Sequence, residues 1–159
     1  MISYWLFKSE PTTFSITHLQ QSIEQTTFWD GVRNYQARNY LRATKKGDIV
    51  FFYHSNCGQL GIYGTAIVLQ EAYPDQSQFD AKSVHYDPQS REDNPRWFGV
   101  EIKLKQLFHQ PILLAEIKRN PKLEKMVLVQ KGSRLSVQLV TNEEAEEMMR
   151  MAQSLSTKH

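Results

Sequence analysis

Three segments with the character of β-strands follow one another between residues 49 and 105, with no helix-like segment between them. Ile49 to Tyr53 is an unbroken apolar run, which is typical of a strand covered on both faces. Gly61 to Ala72 is rich in Ile, Val and Thr, and apolar and polar residues alternate from Phe98 to Lys105. Because parallel neighbours need crossover helices, this succession disfavours a doubly wound sheet and predicts a mixed β-barrel.

Small helices are predicted on both sides of these strands. Residues 3–8 form a short aromatic strand closed by Pro11, residues 26–32 are extended, and Asn34 is a suitable N-cap for a helix from Tyr35 to Ala43. Ser15 caps an earlier helix whose apolar stripe is Ile16, Leu19 and Ile23.

The C-terminal part repeats this alternation after a proline-containing loop over residues 73–96. Pro111 is predicted to open a short helix through Ile117, residues 136–140 form a last strand, and Thr141 begins a capping box for a final helix. The order is βα(β)αββ–loop–βαβα, which predicts an α+β fold.

Composition limits the function. At 159 residues the chain has the length of one domain, so we expect residues 1–159 to form a single unit. The single cysteine, Cys57, excludes an internal disulfide and a cysteine-based zinc cage. The five histidines are scattered, and the common phosphate-loop, dinucleotide and hydrolase motifs are absent, so we expect neither a metal nor a cofactor. No apolar stretch is long enough for a membrane span, and we expect no membrane partner.

Three glycines, Gly58, Gly61 and Gly64, recur at every third position. Since they flank or lie in a predicted strand, a tight turn with a close backbone approach is favoured over a phosphate cradle.

Two polar clusters at strand ends are candidate binding sites. Lys8-Ser9-Glu10 places a cation, a hydroxyl and a carboxylate after the first strand, and a carboxylate accepts hydrogen bonds from the exocyclic amine of a base. His54-Ser55-Asn56 follows the buried strand of residues 49–53. A solvated strand end and a plain turn are the respective alternatives.

The segment from Trp29 to Asn39 is dense in ring, amide and guanidinium groups. A base outside a duplex needs a ring to stack on, amides for its edge and arginines for phosphates. Five cations and no acid lie between Arg33 and Lys46, and a second basic stretch runs from Lys118 to Arg134. An amphipathic helix with a solvated charged face is the alternative.

These motifs together resemble the EVE domain family, over about residues 3 to 155. The segments that carry the resemblance are residues 4–11, 29–39, 46–48, 52–56, 61–64, 87–88, 95–97 and 134–138. The resemblance implies a PUA-like fold, a mixed β pseudo-barrel with small flanking helices. It also implies kinship with the YTH, ASCH and SRA readers, which hold a modified or flipped base in an aromatic-walled pocket.

The resemblance further implies a non-catalytic reader of a modified base, in particular a modified cytosine in DNA. Trp29 would be the stacking ring, standing apart from the core, and Trp29→Ala would abolish selective binding with the fold intact. The expected base-binding residues are Lys8, Ser9, Glu10, Trp29, Arg33, Asn34, Gln36, Arg38, Asn39, His54, Ser55 and Asn56.

Several alternatives stay open at this stage. An RNA reader or an RNA-modification accessory factor would use the same pocket, and a small hydrolase or transferase would use His54, Glu10 or Lys8. A pure interaction module is a further alternative. We expect a monomer that binds nucleic acid and acts with an effector protein in trans. It would lie in the cytoplasm of a bacterium or in the nucleus of a eukaryote.

Overall fold

The computed structural model describes residues 1–156, and its elements follow the predicted order. The strands are β1 (Tyr4–Ser9), β2 (Thr26–Trp29), β3 (Ile49–His54), β4 (Gly61–Pro74), β5 (Phe98–Leu113) and β6 (Val137–Val140). The helices are α1 (Ile16–Gln21), α2 (Tyr35–Ala43), α3 (Leu114–Arg119) and α4 (Asn142–Ser156), with short 3-10 turns at 23–25, 76–79, 121–123 and 127–129. The α+β class is therefore confirmed.

The six strands form one mixed sheet in the order β2-β5-β4-β3-β1-β6. The β1–β3 pair is parallel, and the other pairs are antiparallel. Register shifts along the β4–β5 ladder bend this long hairpin. The sheet is open and does not close into the predicted mixed β-barrel, because β2 and β6 remain its two edges within residues 1–156.

Each face of the sheet carries its own core. Alternation along β1 sends Phe7 to a first core, covered by α1 and α2, and Leu6 to a second core, covered by α3 and α4. Every residue of β3 is buried, as the apolar run of residues 49–53 predicts. Two helices share the cover of each face.

The prediction for Pro111 is wrong, because β5 continues through it to Leu113 and α3 begins only at Leu114. Proline lacks an N–H and is tolerated where a strand has no neighbour on one side. β2 pairs with β5 only as far as Lys103, so the far end of β5 pairs with β4 alone. The sequence pattern does not reveal this edge.

The stripe predicted for the first helix is also too long. α1 ends at Gln21, and Ile23 is 89% exposed. Glu24 and Gln25 follow with positive φ angles, which turn the chain into β2.

The two strand glycines have the predicted role. A Cβ at Gly61 would lie 2.5 Å from the Ile112 carbonyl oxygen, and one at Gly64 would clash with the Gln106 carbonyl oxygen. Both glycines therefore allow β4 to approach β5 closely.

Candidate functional site

A pocket of about 520 Å³ opens where the ends of β1 and β2 meet the chain that leads into α2. Its volume is in the range of pockets that hold small organic ligands, ~300–1,000 Å³. It is lined by Lys8, Ser9, Glu10, Thr13, Phe14, Thr27, Phe28, Trp29, Asp30, Gly31, Val32, Arg33, His85 and Ser136. Five of the twelve predicted residues are among them, namely Lys8, Ser9, Glu10, Trp29 and Arg33.

Trp29 connects this pocket to the first core. Its ring centroid lies 5.3 Å from that of Phe7 and 5.4 Å from that of Phe52, and the Phe52 contact is edge-to-face. Phe14 meets it edge-on at 6.3 Å. Only 8% of Trp29 is exposed, so the prediction that this ring stands apart from the core is wrong. It belongs to the core and presents its remaining surface to the pocket.

The rim of the pocket is polar and joined by hydrogen bonds. The Ser9 hydroxyl donates to the Phe14 carbonyl oxygen at 2.7 Å. The Asn56 amide donates to Oε1 of Glu10 at 3.1 Å. Parallel pairing of β1 with β3 sets Ser9 beside His54 in register, and it brings together two clusters that are 46 positions apart in the chain.

Arg33 fixes the loop of residues 75–97 to the pocket wall. Its guanidinium makes five hydrogen bonds, two of them to the His85 carbonyl oxygen at 3.0 and 2.7 Å. The others reach the Val32 carbonyl oxygen, Asp75 at 3.1 Å and the Ser77 hydroxyl. The donors of Arg33 are thus engaged within the protein.

Asp75 is the buried anchor of this arrangement. Burial by itself would raise the pKa of Asp75, but hydrogen bonds from Ser77, the Gly31 N–H and Arg33 outweigh it and lower that pKa below its usual value. The Gly31 N–H donates to Asp75 at 2.8 Å. Asp75 therefore stays ionised and joins the segment after β2 to the distant loop.

Gly31 lets the His85 imidazole close one side of the pocket. Gly31 has a φ of +76°, and a Cβ there would lie 2.6 Å from Nε2 of His85. Any larger residue would be strained and would push the imidazole away.

Lys8 takes part in the lining, but its ammonium group is directed elsewhere. Strand alternation sets it on the face of Leu6, where Nζ lies 5.7 Å from the Tyr53 ring centroid and 3.5 Å from the Ser133 carbonyl oxygen. Burial lowers the pKa of Lys8, and burial raises that of Tyr53 to about 12.

The predicted residues of α2 lie beside the pocket without lining it. Asn34 caps the helix, since its side chain accepts a hydrogen bond from the Ala37 N–H at 2.9 Å. Arg38 donates to the Arg96 carbonyl oxygen and to Asn39, and its guanidinium lies over the Tyr35 ring. Gln36 is exposed.

His54 is buried and also lies outside the lining. Its Nε2 accepts a hydrogen bond from the Ile16 N–H at 3.1 Å, and its ring stacks on Tyr63 with centroids 4.0 Å apart. Burial lowers the pKa of His54. His54 therefore supports the start of α1, while Ser55 and Asn56 follow at the strand end.

We expect His54 to make the protein less stable in mild acid. Because its pKa is lowered in the folded state, the unfolded chain takes up a proton first, and stability falls as the pH drops below about 6.5. His54→Gln retains an acceptor without a titrating ring, so chemical unfolding curves should show a smaller loss between pH 7 and pH 5. An equal loss in both proteins would contradict this assignment. Asp75 and Glu147, whose pKa values are lowered from 3.8 and 4.5, act in a separate window that begins at about pH 4.5 and extends downward.

Several lining residues were not predicted from the sequence. His85 falls in the loop of residues 73–96, whose composition indicates no site, and its link to Arg33 spans 52 positions. Phe14 and Val32 are apolar, so the sequence does not distinguish them from ordinary core residues. Asp30-Gly31 can be recognised in the sequence, because this pair breaks a β-branched and aromatic segment.

Two absences concern the described residues only. Among residues 1–156, no three His, Cys, Asp or Glu side chains converge as metal ligands would. Over the same residues, no helix combines the length and the apolar composition needed to cross a bilayer.

An open mixed sheet with small helices, and a pocket with an aromatic wall at the strand ends, define a PUA-like domain. The chain belongs to the EVE domain family, whose model matches residues 3–151.

Relatives support this assignment along most of the chain. Human thymocyte nuclear protein 1 is 46% identical in an alignment of 159 positions that covers 89% of this chain and 70% of that protein. A hypothetical protein from Leishmania major has a TM-score of 0.92 at 41% identity, covering 98% of this chain and 97% of that one. The structure of human THYN1 protein in complex with DNA containing 5-methylcytosine has a TM-score of 0.89 at 44% identity and 99% coverage of each chain.

Proposed function

We propose that this protein is a non-catalytic module that binds a modified cytosine of DNA in the pocket beside Trp29. The observation that carries the proposal is the pocket itself, which is lined by one tryptophan, two phenylalanines and two carboxylates. The complex of human THYN1 with 5-methylcytosine DNA supports the same ligand class for this chain.

The pocket has the groups that cytosine recognition requires. A base stacked on an aromatic ring gains ~1–3 kcal/mol, which offsets part of the energy of unstacking it from the duplex. The exocyclic amine of cytosine donates to carboxylates, and Glu10 and Asp30 both line the pocket. Apolar neighbours such as Phe14 and Val32 would contact a methyl group at carbon 5.

The predicted residues then divide into three groups in our proposal. Ser9, Glu10 and Trp29 contact the base, with Asn56 orienting Glu10. Asn34, Gln36, Arg38 and Asn39 lie toward the sugar-phosphate backbone at the start of α2, with Lys8 beside the rim. Arg33, His54 and Ser55 act as positioning residues. The polar groups of Arg33 and His54 are bound within the protein, and the Ser55 N–H donates to the Ser9 carbonyl oxygen.

Contacts of the reactive side chains support a binding role over catalysis. A general-base pair needs two groups within hydrogen-bond reach. His54 accepts from the Ile16 N–H, Lys8 reaches the Ser133 carbonyl oxygen, and Glu10 accepts from Asn56. These three side chains therefore serve three different neighbours.

We also propose that the protein acts as a monomer and signals through an effector protein in trans. Its expected location is the bacterial cytoplasm or, in a eukaryote, the nucleus. The name of the relative thymocyte nuclear protein 1 supports the nuclear case.

Titration of matched oligonucleotides tests the proposed function. Duplex DNA with one central 5-methylcytosine should bind about tenfold more tightly than the unmodified duplex, since one methyl group in an apolar pocket contributes ~1–3 kcal/mol. The same pair in RNA should bind more weakly than the DNA pair. Equal affinity for modified and unmodified DNA would contradict the proposal, and tighter binding of the RNA pair would favour an RNA reader.

A further inference from the structure

Val84 is an exposed apolar side chain at the tip of an ordered loop. The side chain is 93% exposed. The turn around it is closed by a hydrogen bond from the Tyr86 N–H to the Ser83 carbonyl oxygen and by one from the His85 N–H to the Ser83 hydroxyl. Contact with a partner would remove this apolar surface from water, which is favourable.

The protein anchors this tip firmly. Two Arg33 nitrogens donate to the carbonyl oxygen of His85, the residue next to Val84. The Asp87 N–H donates to the Gln78 carbonyl oxygen on the other side of the tip. Val84 is therefore presented on a braced loop.

The tip stands directly beside the pocket. His85 lines the pocket and packs on Gly31, and successive Cα atoms are only about 3.8 Å apart. An apolar side chain is thus placed next to the opening that a base would enter.

A single exposed cation, Lys82, lies two residues from Val84. The carboxylates of Asp80 and Asp87 flank the turn, and they accept hydrogen bonds from the Lys82 N–H and from the Trp97 indole N–H. A cation can contact a phosphate of the DNA backbone, and an apolar side chain beside it can contact the stacked bases.

We propose that Val84 is a wedge that enters the base stack of duplex DNA and fills the space left by the base in the pocket. The inference rests on the proposed function and extends it, since it assigns the duplex a second contact. Extrusion of a base leaves a gap in the stack, and apolar side chains of other DNA-binding proteins insert between base steps. Lys82 would meet the adjacent phosphate.

The test compares a duplex with a single strand of the same sequence, each carrying one 5-methylcytosine. A single strand has no gap to fill, so Val84→Ala should weaken duplex binding about tenfold and change single-strand binding less than twofold. Val84→Leu should retain duplex binding. Val127→Ala is the matched control, because Val127 is also exposed but lies next to Met126 and Leu128 of the second core.

A fluorescent readout reports the wedge directly. With 2-aminopurine, paired with thymine, at the position next to the modified cytosine, wild type should increase the fluorescence and Val84→Ala should do so less at saturation. Unchanged duplex binding, or an equal loss on duplex and single strand, would overturn the wedge while the proposed function stands. If the wild-type protein has no preference for the modified base in either form, the proposed function and the wedge both fail.

Discussion

Trp29→Ala is expected to destabilise the protein strongly as well as to remove base binding. Trp29 packs against Phe7, Phe14 and Phe52, so its truncation leaves a cavity in the first core. Replacement of a buried tryptophan by alanine costs about 3–5 kcal/mol, a large part of the ~5–15 kcal/mol that stabilises a typical domain. Thermal unfolding should show a decrease in Tm of about 10 °C or more.

Trp29→Phe separates stability from binding. A phenylalanine keeps a ring against Phe52 and offers the pocket a smaller stacking surface. We expect this variant to remain folded and to lose part of its affinity for the 5-methylcytosine duplex. If Trp29→Ala had the Tm of the wild type, the ring could not belong to the core.

Arg33→Ala is expected to release the loop of residues 75–97 from the pocket wall. The substitution removes all five guanidinium hydrogen bonds and leaves Asp75, whose side chain is 1% exposed, without its cationic partner. Loss of one partner of a buried ion pair typically costs about 3–5 kcal/mol. Hydrogen exchange of residues 75–87 should accelerate, and DNA affinity should fall because His85 no longer closes the pocket.

Arg91→Ala is the matched control for this effect. Arg91 pairs with Asp93 in the same loop, but the two side chains are 75% and 68% exposed, and such pairs contribute about 0–1 kcal/mol. The double variant Arg33→Ala with Asp75→Asn should recover part of the stability, because it removes the unpaired buried charge. Equal exchange rates in Arg33→Ala and wild type would contradict the anchoring role.

Local signals in the sequence were sufficient to predict most helices and strands of the fold. The Asn34 cap and the stripe of Ala37 and Leu41 predict α2 with its observed bounds. The apolar run of β3 predicts a strand buried on both faces. Pro111 misled the prediction, because its tolerance depends on which strand lies beside β5.

The candidate site could be predicted only in part, because long-range pairing assembles it. In the sequence, residues 8–10 and 54–56 are two separate clusters. Only the parallel pairing of β1 with β3 brings them into register. The dual role of Trp29 is invisible in a sequence, since burial and pocket lining depend on the rings around it. The loop that carries His85 has no signal of its own and gains a role through Arg33.

The central claim is that a modified cytosine of DNA leaves the duplex and enters the pocket beside Trp29. The most direct test is the methyl resonance of a single ¹³C-methyl-labelled 5-methylcytosine in a duplex, recorded as protein is added. We expect the resonance to move upfield, with nuclear Overhauser contacts to Trp29 and Phe14, because the methyl group would lie against their rings. A resonance that keeps the position of the free duplex at saturation, without contacts to these two residues, would contradict the account.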